Sequence, residues 1–184
     1  MRIVAGRFRG VRLAGVGKGD PGAHLRPTPD RVRESLFSIL TSLDVIDGAR
    51  VLDLFAGTGA LGLEALSRGA ERTVFVENGR VGAGLIGKNI ELTHSGAETR
   101  LMRVDATRLG ACDEAPFSVV FLDPPYGKSM GQAALAAAKA GGWIAPGALV
   151  VWEENAPQEP PPGFELHDVR RYGDTHLTLL WRKG

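Results

Sequence analysis

This sequence predicts an α/β fold: a mostly parallel sheet of seven strands, covered on both faces and closed by a C-terminal antiparallel hairpin. Three observations point to it. From Arg50 onward, short apolar runs alternate with segments of helical periodicity, the pattern of successive βαβ units. A glycine-rich turn, Gly57-Thr-Gly-Ala-Leu-Gly62, falls between the first of these runs and the helix that follows. The length of 184 residues, 43% apolar and 23% charged, suits one globular domain. A chain of this size buries about 70% of its unfolded surface.

The elements follow in order. Arg2 to Ala5 and Val11 to Leu13 flank Gly6 and Gly10 as a short hairpin or ribbon, and a loop rich in glycine (Gly15, Gly17, Gly19, Gly22) comes next. Thr28-Pro29 supplies an N-cap and a first-turn proline, and Val32, Leu36, Ile39, Leu40 and Leu43 then recur at helical spacing, predicting an amphipathic helix over roughly 29–43. Strands are predicted at 50–55, 72–76, 99–104, 117–122 and 148–152, with helices between them. The helix over 80–92 is the weakest. Gly82, Gly84 and Gly87 each cost about 1 kcal/mol relative to alanine, so packing of Val81, Leu85, Ile86 and Ile90 must hold it. Pro157 to Pro162 reads as a surface loop, and Phe164–Arg171 and Thr175–Trp181 read as the closing hairpin.

Charge is unevenly spread. The net charge is +1, yet residues 1–34 hold eight Lys/Arg against three acids, while the rest hold 14 basic and 18 acidic side chains. A basic arm on a mildly acidic body is expected where one face meets phosphate, although a solubilising terminal segment fits the charge equally well. No run approaches the roughly 20 apolar residues of a membrane span, and the first residues lack a signal-peptide core. The lone Cys112 forms no internal disulfide, and no Cys/His cluster has zinc spacing, so a cytoplasmic protein with no metal is expected.

The turn at Gly57, Gly59 and Gly62 matches G-x-G-x-x-G, which taken alone suggests a dinucleotide. Glu77, 20 residues past Gly57 at a strand end, is placed to accept ribose hydroxyls, as it would for NAD or for S-adenosylmethionine. Asp53 separates the two, because a carboxylate just ahead of the glycines suits a ligand bearing an ammonium and a sulfonium better than a pyrophosphate. Asp105 ends the next strand, with Ala106 beside it leaving room for an adenine ring. The plainer alternative for Asp53 is that it caps a neighbouring helix or pairs with an arginine. Three acids at successive strand ends nevertheless favour the cofactor.

Leu122-Asp123-Pro124-Pro125-Tyr126 follows the fourth strand on the same rim. A conjugated exocyclic amine is a poor nucleophile that presents two N–H donors. The Asp123 carboxylate and the Pro124 carbonyl can accept both, hold the nitrogen in line with a sulfonium methyl and favour localisation of its lone pair. Tyr126 can stack on an extruded base, a contact worth about 1–3 kcal/mol. A plain turn with a packed tyrosine is the competing account of the same residues.

Through these stretches the sequence resembles the bacterial 16S ribosomal RNA guanine-N2 methyltransferases of the RsmD type. The resemblance lies in Leu25-Arg-Pro-Thr-Pro-Asp-Arg-Val-Arg-Glu-Ser-Leu-Phe37, Asp53-Leu-Phe-Ala-Gly-Thr-Gly59 with the helix after it, Phe75-Val-Glu77, Leu122-Asp-Pro-Pro-Tyr126 and Tyr172-Gly-Asp-Thr175. It implies a class I, Rossmann-like methyltransferase fold with S-adenosyl-L-methionine as cofactor. It gives the methionine end to Asp53, Gly57 and Gly59, the ribose to Glu77, the adenine to Asp105, and the target base to Asp123, Pro124 and Tyr126. Phe55, Ala56, Asn78 and Ala106 stand beside these positions and join the cofactor set. The chain departs from the family in Asn78 and in the glycine-rich stretch 79–87.

The tetrad suits adenine N6, cytosine N4 or a protein amide as well as guanine N2. DNA amino-methyltransferases ordinarily carry an added target-recognition region, whereas only about 48 N-terminal residues stand outside the sheet domain here. The expected division is therefore 1–47, a basic RNA-binding extension, and 48–184, the catalytic domain. Arg7, Arg9, Arg26 and Arg31, with Thr28 of the family-like Arg-Pro-Thr segment, are the expected contacts to ribosomal RNA within an assembling small subunit. Two other classes compete. A cofactor-free RNA-binding assembly protein would have no need of the acids and the tetrad, and an NAD oxidoreductase would need a proton donor that the scattered His24, His94, His167 and His176 do not supply.

Overall fold

The structure, a computed structural model, describes residues 1–17, 25 and 27–184. Arg26, Gly19, Gly22 and His24 lie outside the described residues. Strands β1 (Arg50–Leu54), β2 (Arg72–Val76), β3 (Thr99–Met102), β4 (Phe117–Leu122), β5 (Ile144–Glu154), β6 (Phe164–Tyr172) and β7 (Thr175–Arg182) form one sheet in the order β3-β2-β1-β4-β5-β7-β6. The first five are parallel, and β7 runs antiparallel to both β5 and β6. Helices α1 (Asp30–Ser42), α2 (Ala60–Ser67), α3 (Arg80–Leu92) and α4 (Met130–Ala140) cover it.

The strands read as continuous apolar runs because both faces are buried. Leu52, Leu54, Val120, Leu122, Val150 and Trp152 pack toward α4, while Val51, Val119, Phe121, Leu149 and Val151 pack toward α1 and α2. Strand order reverses between β1 and β4. In a parallel sheet that reversal opens a crevice outside the strands' carboxyl ends, and both the glycine turn and the Asp-Pro-Pro-Tyr tetrad leave the sheet there.

Several boundaries differ from expectation for local reasons. β5 starts at Ile144, where a bulge carries it through Pro146 and Gly147: Phe117 and Val119 of β4 face Ile144 and Leu149. The N-terminal ribbon is a tight loop closed by a single bridge, Arg2 to Arg12, in place of two strands. Its Gly6 lies so close to α2 that an added Cβ would stand 1.9 Å from the Ser67 carbonyl oxygen. The N-cap of α1 is Pro29, with no side-chain cap, so Thr28 does not cap the helix. In α3, Val81 is exposed rather than packed in the core as expected; the buried side is Gly82, Ala83, Ile86 and Asn89.

One charged cluster is enclosed. Arg33 is fully buried, donating to Glu64 at 3.2 Å, to the Thr28 carbonyl at 3.3 Å and to the Arg2 carbonyl at 2.9 Å, and it also pairs with Asp30. Glu64, likewise buried, accepts from the Val4 and Ala5 amides and from Arg68. Within this cluster each buried charge thus has an opposite partner, as burial demands. No helix among the described residues is long and apolar enough to cross a membrane.

Candidate active site

The cofactor side is built by the turn after β1. Phe55, Gly57 and Gly59 all adopt positive φ (58°, 59° and 80°), so the chain coils back on itself before α2 starts at Ala60. A non-glycine residue in that region is strained and persists only where its surroundings hold it. Here the Ala56 amide donates to the Val76 carbonyl at 3.1 Å. Glu77 then locks the turn: Oε2 accepts from the Gly57 amide and Oε1 from the Gly79 amide, both at 2.8 Å. Helix α3 approaches so closely that a Cβ on Gly82 would stand 2.9 Å from the Glu77 carboxyl carbon and 3.0 Å from the Gly57 oxygen. The glycines of α3 that sequence reading counts as a cost therefore include one that this contact requires.

The other two acids take different roles. Asp53 is 2% exposed and its Oδ2 accepts from the Gly62 amide at 3.0 Å, in the first turn of α2. This is the helix-capping arrangement weighed as its plainer alternative, and it holds the turn from behind. Burial pushes its carboxyl well above the usual range, with the nearby Glu77 charge adding to the shift. Asp105 is partly exposed, and its Oδ1 accepts from both the Thr107 amide (2.9 Å) and the Thr107 hydroxyl (2.7 Å), which lower its carboxyl. Its Oδ2 takes no hydrogen bond among the described residues, beside buried Ala106. Asn78 is exposed next to Glu77.

On the far side of the crevice, the Asp123 amide donates to the Leu54 carbonyl at 3.4 Å, fastening the end of β4 to β1. Asp123 is half-buried, Pro124 buried and Tyr126 half-buried. Burial, then the charges of Glu153, Asp53 and Glu154, push the Asp123 carboxyl well above the usual range. The Tyr126 hydroxyl donates to Glu153 Oε1 at 3.0 Å and lies 3.2 Å from Thr175 Oγ1. Burial raises the Tyr126 phenol and likewise the Glu153 carboxyl. The other Glu153 oxygen, Oε2, accepts from Thr28 Oγ1 at 3.3 Å.

Sequence reading missed Glu153, although two acids ending a strand, Glu153 and Glu154, were visible signals. Strand register makes it significant, because Phe121 of β4 lies opposite Val151 of β5, and two residues further on Asp123 and Glu153 face the same side. The segment before α1 joins the two halves. A Cβ on Gly57 would lie 3.4 Å from Leu25 Cδ2, and three residues later Thr28 reaches Glu153.

The arginines divide into two places. Arg31 is exposed in the first turn of α1, at the end of the sheet where Thr28 meets Glu153. Arg7 and Arg9 stand at the other end: the Arg7 amide donates to the Ser67 carbonyl that closes α2, and its guanidinium pairs at 2.9 Å with Glu98, just ahead of β3. Arg9 is exposed beside it. The structure thus brings the residues expected to meet the cofactor together with Asp123, Pro124, Tyr126 and Thr28, and leaves Arg7 and Arg9 at the amino ends of the strands. No group of three His, Cys, Asp or Glu side chains among the described residues is arranged to hold a metal ion.

Known proteins resemble this chain throughout. Residues 1–181 match the family described as Conserved hypothetical protein 95. Ribosomal RNA small subunit methyltransferase D of Escherichia coli K12 is 36% identical over 187 residues, spanning 100% of this chain and 91% of that protein. The corresponding Haemophilus influenzae protein is 34% identical, over 83% of this chain and 78% of its own. Among solved structures, a methyltransferase of Escherichia coli described as yhhF superposes with a TM-score of 0.85 at 35% identity, covering 100% of this chain and 98% of that one. An RNA methyltransferase of Salinibacter ruber solved with S-adenosyl-L-homocysteine, 18% identical with a TM-score of 0.66 over 86% of this chain and 94% of that one, shares the fold. The sheet and the rim follow the class I methyltransferase plan, and the chain belongs to the Conserved hypothetical protein 95 family and is a methyltransferase.

Proposed function

We propose that the protein uses S-adenosyl-L-methionine to methylate the exocyclic N2 amine of a guanine in small-subunit (16S) ribosomal RNA; its relatives are named as small-subunit ribosomal RNA methyltransferases, and the family resemblance supplies the guanine N2 amine. The observation that carries this reading is the placement of Asp123 and Pro124 across the switch-point crevice from the Gly57–Glu77 turn. When bound, S-adenosyl-L-methionine supplies an electrophilic methyl group. The residues present fit it: Glu77 is held by two amides where a ribose would lie, Asp105 keeps an unused oxygen beside a small residue, and Gly57 leaves partly exposed backbone for close approach, whereas Gly59 is buried against Phe75 and Ile86 and serves the turn itself. Asp53, Phe55 and Ala56 shape the turn from within, and Asn78 flanks the ribose position.

The chain's own contribution to transfer is positioning. The Asp123 carboxylate and the Pro124 carbonyl accept the two N–H groups of the amine, fix its nitrogen, and draw its lone pair out of conjugation as the new N–C bond forms. Asp123 or adjacent water takes the proton that leaves the nitrogen. Tyr126, tethered through its hydroxyl to Glu153, offers its ring to the extruded base. Residues 1–47 act as the RNA-binding extension of the catalytic domain 48–184, with Thr28 and Arg31 on the base side, Arg7 and Arg9 farther along the RNA, and Arg26, outside the described residues, as a further expected contact. The partner is ribosomal RNA, within an assembling small-subunit particle in the cytoplasm.

The test is transfer of labelled methyl to 16S ribosomal RNA, offered naked and as small-subunit particles from cells lacking the enzyme, followed by nucleoside analysis. N2-methylguanosine is the expected product. Label in N6-methyladenosine or N4-methylcytidine would overturn the guanine assignment, and preference for naked RNA would overturn the particle.

A further inference from the structure

A second basic feature lies at the opposite end of the ribbon from Arg7 and Arg9. Arg2 and Arg12 face each other across the single antiparallel bridge, both exposed, and neither has an ion-pair partner among the described residues. With Met1 and Asp30 they line an open hollow of about 300 Å³. Like charges directly opposite in an antiparallel pair are destabilising. The acid in the hollow offers no relief, since Asp30 is already held by Arg33. Beneath them Glu64 is shared between Arg33 and Arg68. Four guanidiniums therefore gather around two carboxylates, and the surplus positive charge sits on Arg2 and Arg12.

Their place in the fold gives that surplus a use. The Ala14 amide donates to Asn89 Oδ1, and the Asn89 amide group donates to the Thr58 carbonyl in the glycine turn, so this end of the ribbon stands at the catalytic rim. It is also wired to the base side. The Arg2 carbonyl accepts from Arg33, Arg33 donates to the Thr28 carbonyl, and the Thr28 hydroxyl donates to Glu153, which holds Tyr126. Exposed Arg31 lies in the same first turn of α1 as Asp30. An enzyme that extrudes a base must grip the backbone flanking it, and phosphate contacts set that register. A phosphodiester between two guanidiniums converts their repulsion into charge-assisted hydrogen bonds.

We propose that Arg2 and Arg12 form a clamp for an RNA backbone phosphate close to the target nucleotide, with Arg31 at its edge; this rests on the reading of the protein as an RNA methyltransferase. The clamp, at the catalytic rim, dominates phosphate binding, and Arg7 and Arg9 at the distant tip contribute less.

The experiment is filter binding of in vitro transcribed 16S ribosomal RNA across a potassium chloride series, for the wild type, R2Q/R12Q, R2K/R12K and R7Q/R9Q. The slope of log affinity against log salt should become shallower by about one unit per arginine removed if each neutralises a phosphate. R2Q/R12Q should lose one to two such units and bind at least about tenfold more weakly at low salt, while R2K/R12K keeps most of the slope and R7Q/R9Q changes it less. The melting temperature of R2Q/R12Q should be equal to or above that of the wild type, because a repulsion has been removed. An unchanged slope in R2Q/R12Q, a larger loss in R7Q/R9Q, a melting temperature that falls with affinity, or no salt-dependent RNA binding by the wild type would each overturn the clamp. Methyl transfer measured on the same preparations separates the two ideas. Transfer with an unchanged slope removes the clamp alone, whereas an arginine-dependent slope without transfer to RNA removes the proposed chemistry alone.

Discussion

The Tyr126 hydroxyl donates to Glu153 Oε1 at 3.0 Å, joining the tetrad after β4 to the end of β5, while Thr28 occupies the second oxygen of the same carboxylate. In the proposed mechanism Glu153 is therefore a positioning residue; burial raises the Asp123 carboxyl, and the charge of Glu153, followed by Asp53 and Glu154, raises it further. Glu153→Gln keeps an acceptor for Tyr126 and removes the charge. In the proposed mechanism the ionised form of Asp123 accepts the amine, so the acid limb of the kcat/KM profile should move to lower pH in this variant. A limb that stays in place would show that Glu153 acts on the site through shape alone.

Asp123→Asn should separate activity from stability. Because burial and three neighbouring acids raise the Asp123 carboxyl in the folded state, the native protein binds its proton more tightly than the unfolded chain does. The associated stability is fully present below the unfolded carboxylate pKa and is lost as pH rises through the folded value. Removing the charge should therefore raise the melting temperature near neutrality, by about 2–4 °C for each kcal/mol relieved in a domain of this size, while transfer falls at least about a hundredfold, in keeping with the loss of one oriented acceptor. Thermal scans at acid and neutral pH check the first expectation: the gain should shrink on acidification.

Gly82→Ala should strike the cofactor without touching the tetrad. The new methyl would overlap the Glu77 carboxyl group, 2.9 Å away, and the Gly57 carbonyl at 3.0 Å. Glu77 would then lose the geometry that its two backbone amides impose. Calorimetric titration with S-adenosylhomocysteine should show affinity weakened by about ten- to a hundredfold, a cost of roughly 1.4–2.7 kcal/mol. Gly84→Ala, which meets open space in the same helix, is the control and should leave affinity unchanged.

Arg33→Ala should be among the costliest single changes. It leaves Glu64 facing the Val4 and Ala5 amides and Arg68 with one buried partner gone, and it strips the hydrogen bonds from the Arg2 and Thr28 carbonyls. Removing one member of a buried pair costs about 3–5 kcal/mol. Denaturant titration should show that loss, and hydrogen exchange at Val4 and Ala5 should rise before exchange in β1 and β4.

Much of this molecule could be read from its residues because the sheet is doubly covered. Val51, Leu52 and Leu54, interrupted only by Asp53, and Val119 to Leu122 supply apolar side chains to both faces and stand out from any loop. The glycine turn and the tetrad were legible too, since both mark abrupt ends to such runs. What escaped depended on partners far off in sequence. Glu153 matters only through the β4–β5 register, Arg33 looks like a surface arginine on an amphipathic helix, and the lie of the ribbon depends on Gly6 meeting Ser67. Thr28 read as a cap because its position before a proline fits one, and its hydroxyl turned instead to a carboxylate 125 residues away.

That last separation governs how the protein can be made. During synthesis the first residues have no lasting place until α2 delivers Glu64, 60 positions after Val4. The strap that begins α1 must wait longer still, for the end of β5. A chain halted before residue 153 could own the cofactor turn, but it would lack the tether for Tyr126 and Thr28. The tethered arrangement of Thr28 and Tyr126 on one carboxylate therefore arrives late and all at once, when the end of β5 is delivered.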